Sequence, residues 1–133
     1  MKSKNDLAKE VFSKFDIRGI YPDRVSEDLV SEVAKTLSEK VFIKGRVVVG
    51  HDARTSSPSL YKKAIETLRE NAKLEIIEVG LVSTPMMTFL VNDLKADGGI
   101  MITASHNPKE YNGIKAMRKG GDPISGEDIY AIL

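Results

Sequence analysis

The chain has 133 residues, 41% of them hydrophobic, with a formal net charge of +1 and no cysteine. That is one domain of ordinary size, able to bury a core without disulfide staples; the lack of cysteine excludes thiol chemistry and fits a reducing compartment. Charged residues of both signs make up 29% of the chain, which gives no electrostatic footprint for nucleic acid or membrane, and neither is expected as a partner.

No apolar run approaches the roughly 20 residues of a membrane helix. The first ten residues, MKSKNDLAKE, have lysines but no apolar core behind them, so they do not read as a signal peptide. A cytoplasmic chain is expected. Residues 1–14 read as a short helical or frayed lead. Phe15-Asp16-Ile17-Arg18-Gly19-Ile20-Tyr21-Pro22 reads as an extended piece ending in a turn, with Asp16 and Arg18 on one side if it is a strand.

Ser26 is a good helix N-cap, and Glu27 and Asp28 suit the positive end of the helix dipole. Apolar residues at Leu29, Val30, Val33, Ala34, Leu37 and Val41 have helical spacing, which predicts a helix over 26–41. Gly45 separates it from Arg46-Val47-Val48-Val49-Gly50, a β-branched run suited to a strand buried on both faces. The strand empties into the loop 51–58. There Ser57 as N-cap and Pro58 at the first helical position predict a second helix, with Leu60, Tyr61, Ala64, Ile65 and Leu68 inward.

Residues 74–80 read as the next strand. Ser83-Thr84-Pro85 repeats the cap-and-proline device and opens a third helix, with Met86, Phe89, Leu90 and Leu94 inward. The stretch Gly98 to Lys115 then runs from the apolar Ile100-Met101-Ile102 into the hydroxyl-rich loop Thr103-Ala104-Ser105-His106-Asn107-Pro108. It closes at Asn112-Gly113, a turn signal, before a second run at Ile114-Lys115-Ala116-Met117. Ser125 and Asp128 resemble a capping box opening a last helix. The chain stops one turn into that helix without a stop signal, so a longer protein is expected.

This alternation predicts an α/β domain, a three-layer α/β/α arrangement with a mixed, mostly parallel central sheet, spanning 1–133 as one unit. In open α/β sheets ligands sit at the carboxyl ends of the parallel strands. Loops 51–58, 80–85 and 103–113 leave those ends, and two of them open onto helix N-termini, which favour anions. Arg18, Arg54, His106 and Lys115 add positive or titratable groups. A pocket of this composition suits a phosphate group. No His/Asp/Glu cluster has metal-ligand spacing, and no P-loop or GxGxxG joins a strand to a helix. A nucleophilic serine of the hydrolase kind would sit in G-x-S-x-G, which Thr103-Ala104-Ser105-His106-Asn107-Pro108 does not match. A serine that carries a phosphoryl group needs cations and N–H donors around a dianion and needs water kept away. These loops match that need better.

The stretch Gly98 to Lys115 resembles the phosphoserine loop of the α-D-phosphohexomutases, the phosphoglucomutase and phosphomannomutase superfamily. Phe15 to Gly19, Val49 to Pro58 and Ser83-Thr84-Pro85 match in the same order. The resemblance implies that Ser105 is phosphorylated and hands its phosphoryl group to a hexose phosphate. A hexose 1,6-bisphosphate then serves as intermediate and activator, reorienting to return the other phosphate. It further implies that the Ser105 phosphate is one ligand of a Mg²⁺ ion, that Arg18 contacts that phosphate, and that His106 and Lys115 serve proton transfer or charge stabilisation. Asn107, Arg54 and Thr103 become binding residues, with Asn107 helping to hold the loop. Such enzymes have four domains, with the aspartate-rich metal loop in the second, the sugar-specificity loop in the third and a phosphate loop in the fourth. None of these is present here, so the chain resembles domain I alone, with the remaining domains of the polypeptide and a phosphosugar as expected partners. The isolated chain is then expected to be inactive. Tyr111-Asn112-Gly113 leans towards the mannose/glucose type; phosphoglucosamine mutases more often have Asp-Asn-Gly there.

Each residue also has a plainer reading. Ser105 suits a turn, His106 a loop-backbone hydrogen bond, Lys115 a solvated strand, and Arg18 an ion pair with Asp16. Asp52, Arg54 and Ser56 read first as a network that shapes the loop, and Ser83-Thr84-Pro85 as helix-start chemistry. Met86, Met87, Met101 and Met117 read as core or domain-interface filler, and the lysines and glutamates along 62–78 as a solvated face. A non-catalytic α/β module that binds phosphate or phosphosugar is the alternative to an enzyme domain.

Overall fold

The computed structural model describes residues 9–133; the first eight residues of the expected N-terminal lead lie outside them. After a short 3₁₀ turn at Lys9–Val11 come β1 (Ile17–Ile20), α1 (Glu27–Leu37), β2 (Gly45–His51), α2 (Ser57–Leu68), β3 (Leu74–Leu81), α3 (Thr84–Asp93), β4 (Gly98–Ile102), β5 (Tyr111–Arg118), the two-residue β6 (Pro123–Ile124) and α4 (Gly126–Ile132). The sheet order is β1-β5-β4-β2-β3, with β6 also pairing β5. β2 pairs in parallel with both β3 and β4, whereas β5 is antiparallel to β1, β4 and β6. Five strands therefore share one direction and β5 alone is reversed, which makes the sheet mixed and mostly parallel in strand direction.

The period of two along the central strands divides the core. Val47 and Val49 of β2 and Ile100 and Ile102 of β4 face α1, α2 and α4; Val48 and Met101 face α3. All three valines of β2 are fully buried, as a strand covered on both faces requires. Burying a Leu or Val side chain contributes about 1.5–3 kcal/mol, so the larger of the two clusters, with its three helices, holds most of the fold together.

Several local expectations need correcting. The first helix keeps α geometry only to Leu37 and continues as a π-helical turn, Ser38–Phe42; Ile43, at φ 65°, then breaks it. The residue before α2 is Ser56, not Ser57, and its side chain makes no capping bond. The Ser57 hydroxyl is instead donated to Asp52 at 2.6 Å. In α3 the fully buried residues are Met87 and Val91, and Leu90 and Leu94 pack partly buried against the same cluster as expected, while Met86 and Phe89 are 45% and 58% exposed. Asn112-Gly113 is not a turn. Both lie inside β5, and the reversal occurs earlier, between Ile102 and Tyr111. Gly113 is there because β1 comes close: a Cβ would stand 2.1 Å from the Ile17 carbonyl oxygen and 2.9 Å from that of Thr103. The caps expected at Ser26, Ser83 and Ser125 are present, each accepting from the N–H three residues on.

Candidate active site

Two carboxylates organise the carboxyl ends of the strands. The first is Asp16, just ahead of β1, with a side chain only 1% exposed. Arg18 grips it with both arms, Nε to Oδ1 and Nη2 to Oδ2 at 2.8 Å each, and Lys115 Nζ donates to Oδ2 at 2.7 Å. Burial disfavours the Asp16 anion, but the hydrogen bonds from Arg18 and Lys115 outweigh it and hold its pKa below the usual 3.8. Alternation puts residues 16 and 18 on one side of the strand. Antiparallel pairing of β1 with β5, Ile17 opposite Ile114, brings Lys115 alongside.

Arg18 and Lys115 keep spare capacity. A guanidinium has five N–H donors and an ammonium three; besides its bonds to Asp16, Arg18 gives one N–H to Asn107 Oδ1 at 2.9 Å. Among the described residues its other donors, and the remaining two of Lys115, have no acceptor. Their side chains are 31% and 25% exposed. This is a cationic site with its counter-charge behind it and open donors in front.

The second carboxylate is Asp52, at the end of β2. Its Oδ1 accepts from Ser57 Oγ at 2.6 Å and from the Arg54 N–H at 3.0 Å; its Oδ2 accepts from Thr103 Oγ1 at 2.7 Å and Arg54 Nε at 3.2 Å. Burial again opposes ionisation, and these donors, Ser57 and Thr103 foremost, reverse the balance and lower its pKa. The same Thr103 oxygen accepts the Ser105 N–H at 3.1 Å. Arg54 donates across to the carbonyl oxygens of Ser105, Asn107, Pro108 and Tyr111 at 2.6–3.2 Å. Asn112 donates to Ser56 and Ser57, and its own oxygen accepts from Gly113 N. Loops 51–58 and 103–110 are thus bound into one network.

Ser105 sits at the bend of that network with φ +55°, a left-handed conformation uncommon for any residue but glycine. Holding it costs about 1–3 kcal/mol, which the surrounding bonds must offset. Its hydroxyl has no partner among the described residues and opens onto a shallow depression lined by Asp52, Arg54, Thr55, Asn107 and Lys109.

The expected site residues therefore divide. Arg18 joins Asn107, two residues from Ser105, and shares Asp16 with Lys115; Ser105 lines the depression with Asp52 and Arg54, whereas Lys115 lines the groove with Phe15 and Thr84. Thr103 is buried and turned towards Asp52. His106 is exposed and has no hydrogen-bond partner among the described residues. Loop 80–85 makes no hydrogen bond to loop 103–110 among those residues; it reaches the site's edge through Thr84, which shares a small groove with Phe15 and Lys115. Sequence reasoning missed Lys109 in the depression and Asp16 as the anchor of Lys115. The first is an unremarked loop lysine. The second was half visible in the Asp-x-Arg spacing. No three of the His, Asp and Glu residues described come together as a metal-holding group, so the described side chains alone do not fit a Mg²⁺ ion.

The fold is thus an α/β/α sandwich that presents a free serine hydroxyl on a cation-bordered loop at its strand ends. Residues 9–133 match the family model described as phosphoglucomutase/phosphomannomutase, alpha/beta/alpha domain I, and the chain belongs to that family. It is 42% identical over 122 residues to the phosphohexose mutases of Xanthomonas campestris pv. campestris, covering 91% of this chain and 27% of that protein. Against the phosphoglucomutase of Neisseria gonorrhoeae it is 35% identical over 129 residues, 96% of this chain and 28% of that one. A solved phosphoglucomutase/phosphomannomutase family protein from Burkholderia thailandensis superposes with a TM-score of 0.82 at 29% identity, over 95% of this chain and 29% of that chain. The chain thus spans a little over a quarter of the length of these relatives. No helix among the described residues is long and apolar enough to cross a membrane.

Proposed function

We propose that this chain is the phosphoserine-bearing first domain of a cytoplasmic phosphohexomutase that interconverts hexose 1-phosphate and hexose 6-phosphate, of the mannose or glucose type. The observation that carries the reading is the free Ser105 hydroxyl, in a strained bend, on a loop that Arg18 grips through Asn107.

In this reading Ser105 carries a phosphoryl group on Oγ. A hydroxyl of the bound hexose monophosphate attacks the phosphorus; a new sugar O–P bond forms, the Oγ–P bond breaks, and the sugar hydroxyl's proton ends on Oγ. The product is a hexose 1,6-bisphosphate, which reorients and returns its other phosphoryl group to Ser105 by the reverse step. Arg18 and Lys115 supply the open donors that offset charge on the equatorial oxygens. Lys115, ion-paired to Asp16, suits charge stabilisation; the exposed imidazole of His106 is free to ferry the proton. Mg²⁺, met here by the Ser105 phosphate, would neutralise charge on the transferring group, with its other ligands supplied from outside this chain.

Mass spectrometry of the full-length gene product tests the reading. Phosphate is expected on the peptide containing Ser105, and Ser105→Ala should remove both the phosphate and the mutase activity. Full activity in that variant would falsify the assignment. A phosphopeptide without turnover would point to a non-catalytic phosphosugar module. Comparing glucose, mannose and glucosamine phosphates decides the sugar.

A further inference from the structure

We propose that Arg54 is a positioning residue, not a ligand for phosphate: it fixes where Ser105 stands by gathering the carbonyl groups of the loop around one largely enclosed guanidinium. The proposal rests on the reading of Ser105 as the phosphoryl carrier.

Donor capacity separates Arg54 from Arg18. Nε of Arg54 goes to Asp52, Nη1 to the carbonyls of Pro108 and Tyr111, and Nη2 to those of Ser105 and Asn107. These bonds use all five donors a guanidinium has, and the side chain is only 12% exposed. Arg18 stands in contrast, with donors left over and more than twice that exposure. An incoming phosphate can reach Arg18 without breaking anything. To reach Arg54 it would have to displace bonds that hold the loop.

The gathered carbonyls also shape the field around Ser105. Four C=O groups within seven residues would present their negative ends to any anion near Ser105. Turned in on Arg54, they are withdrawn from it. The Ser105–His106 peptide is trans, and in a planar trans peptide the N–H points opposite to the C=O. With the Ser105 carbonyl held inward, the His106 N–H points away from Arg54, and among the described residues it has no acceptor. The same holds for Lys109, whose preceding carbonyl, that of Pro108, is also held. One largely enclosed cation therefore withdraws the loop's acceptors and turns two of its donors outward. Asp52 fixes the cation, and Asn107 is held from both sides, by Arg54 at its carbonyl and by Arg18 at its side chain.

A lysine retains the charge but cannot fork to several carbonyls and a carboxylate. Arg54→Lys in the full-length gene product should therefore lower kcat for the sugar phosphate about 100-fold, as a displacement of the reacting group by about 1 Å does. KM should stay within about twofold, because no ground-state contact is lost. Hydrogen exchange followed by mass spectrometry on the same protein should show faster exchange in peptides covering 103–111 and unchanged exchange in those covering α1 and β2. A rise in KM with kcat retained would make Arg54 a substrate contact and overturn the proposal. So would an unchanged kcat, or faster exchange spread evenly over the domain. Absence of phosphate from Ser105 in the unaltered protein would instead sink the phosphoserine reading, while the exchange pattern would still judge the role of Arg54.

Discussion

Asp16 shows how one buried charge can be an asset. An isolated carboxylate in such a place would be too costly to keep ionised. Three donated bonds from two cations make it the fixed point from which Arg18 and Lys115 reach outward. Asp16→Asn keeps the shape but leaves two cations short of their counter-charge, and should destabilise the domain by about 3 kcal/mol at neutral pH. The sign of the pH effect follows from the lowered pKa. The carboxylate's contribution is complete above the unfolded value near 3.8 and is lost as pH falls through the lower folded value. In thermal melts the gap between the unaltered chain and Asp16→Asn should be open at pH 7 and close below pH 3.8; a gap that is constant with pH would contradict this. The sequence showed the Asp16–Arg18 pairing, because residues two apart share a side of a strand. It could not show Lys115, which reaches Asp16 across 99 positions, nor that Arg54 would spend every donor on main-chain and Asp52 acceptors.

At the level of elements, α3 marks the limit of periodicity as a guide. Its residues are apolar on both sides, so spacing alone did not say which side is buried. The sheet decides, through Gly50 and Gly99. A Cβ on Gly50 would stand 2.8 Å from the Met87 sulfur, and one on Gly99 would stand 2.9 Å from Val91. The absent side chains let α3 lie close, with Met87 and Val91 down. Met87→Ala should accordingly cost about 2–5 kcal/mol, whereas Phe89→Ser should fall within about 0.5 kcal/mol. Denaturant melts of the two variants check this, and comparable losses would mean the face has been misassigned. The other misplaced element, the Asn112-Gly113 turn, failed for a related reason. The dipeptide favours a tight reversal when considered locally. Here it serves long-range contacts instead, Asn112 to Ser56 and Ser57, and Gly113 to the close backbone of β1.

For the whole molecule, the mixed, mostly parallel sheet with helices on both faces was legible because each strand–helix step carries its own cap, breaker and apolar period. The unequal cover of the sheet was not. Among the described residues, three helices lie on one face and α3 alone on the other, where Met86 and Phe89 are exposed. The chain accounts for little more than a quarter of its relatives' length. It brings the Ser105 loop and two cations, but among the described residues no group of three His, Asp or Glu side chains that could hold a metal. The purified 133-residue chain should therefore show no mutase turnover in a coupled assay, and measurable turnover would overturn the assignment of the remaining catalytic parts to other segments.

The reversed strand β5 also sets the order in which the site can exist during folding. Besides the short β6, its partners are β1, from the start of the domain, and β4, immediately before it. A chain emerging from synthesis can complete β2, β3 and β4 with their helices while Asp16 and Arg18 wait at an unpaired strand. Only when residues 111–118 have emerged and slotted between β4 and β1 does Lys115 meet Asp16 and the Ser105 loop close over Arg54. Long-range pairings of this kind come late, since loop-closure entropy is spent before they contribute. The charged constellation is therefore a marker of completed folding: a domain that has not closed its sheet cannot bring Lys115 to Asp16.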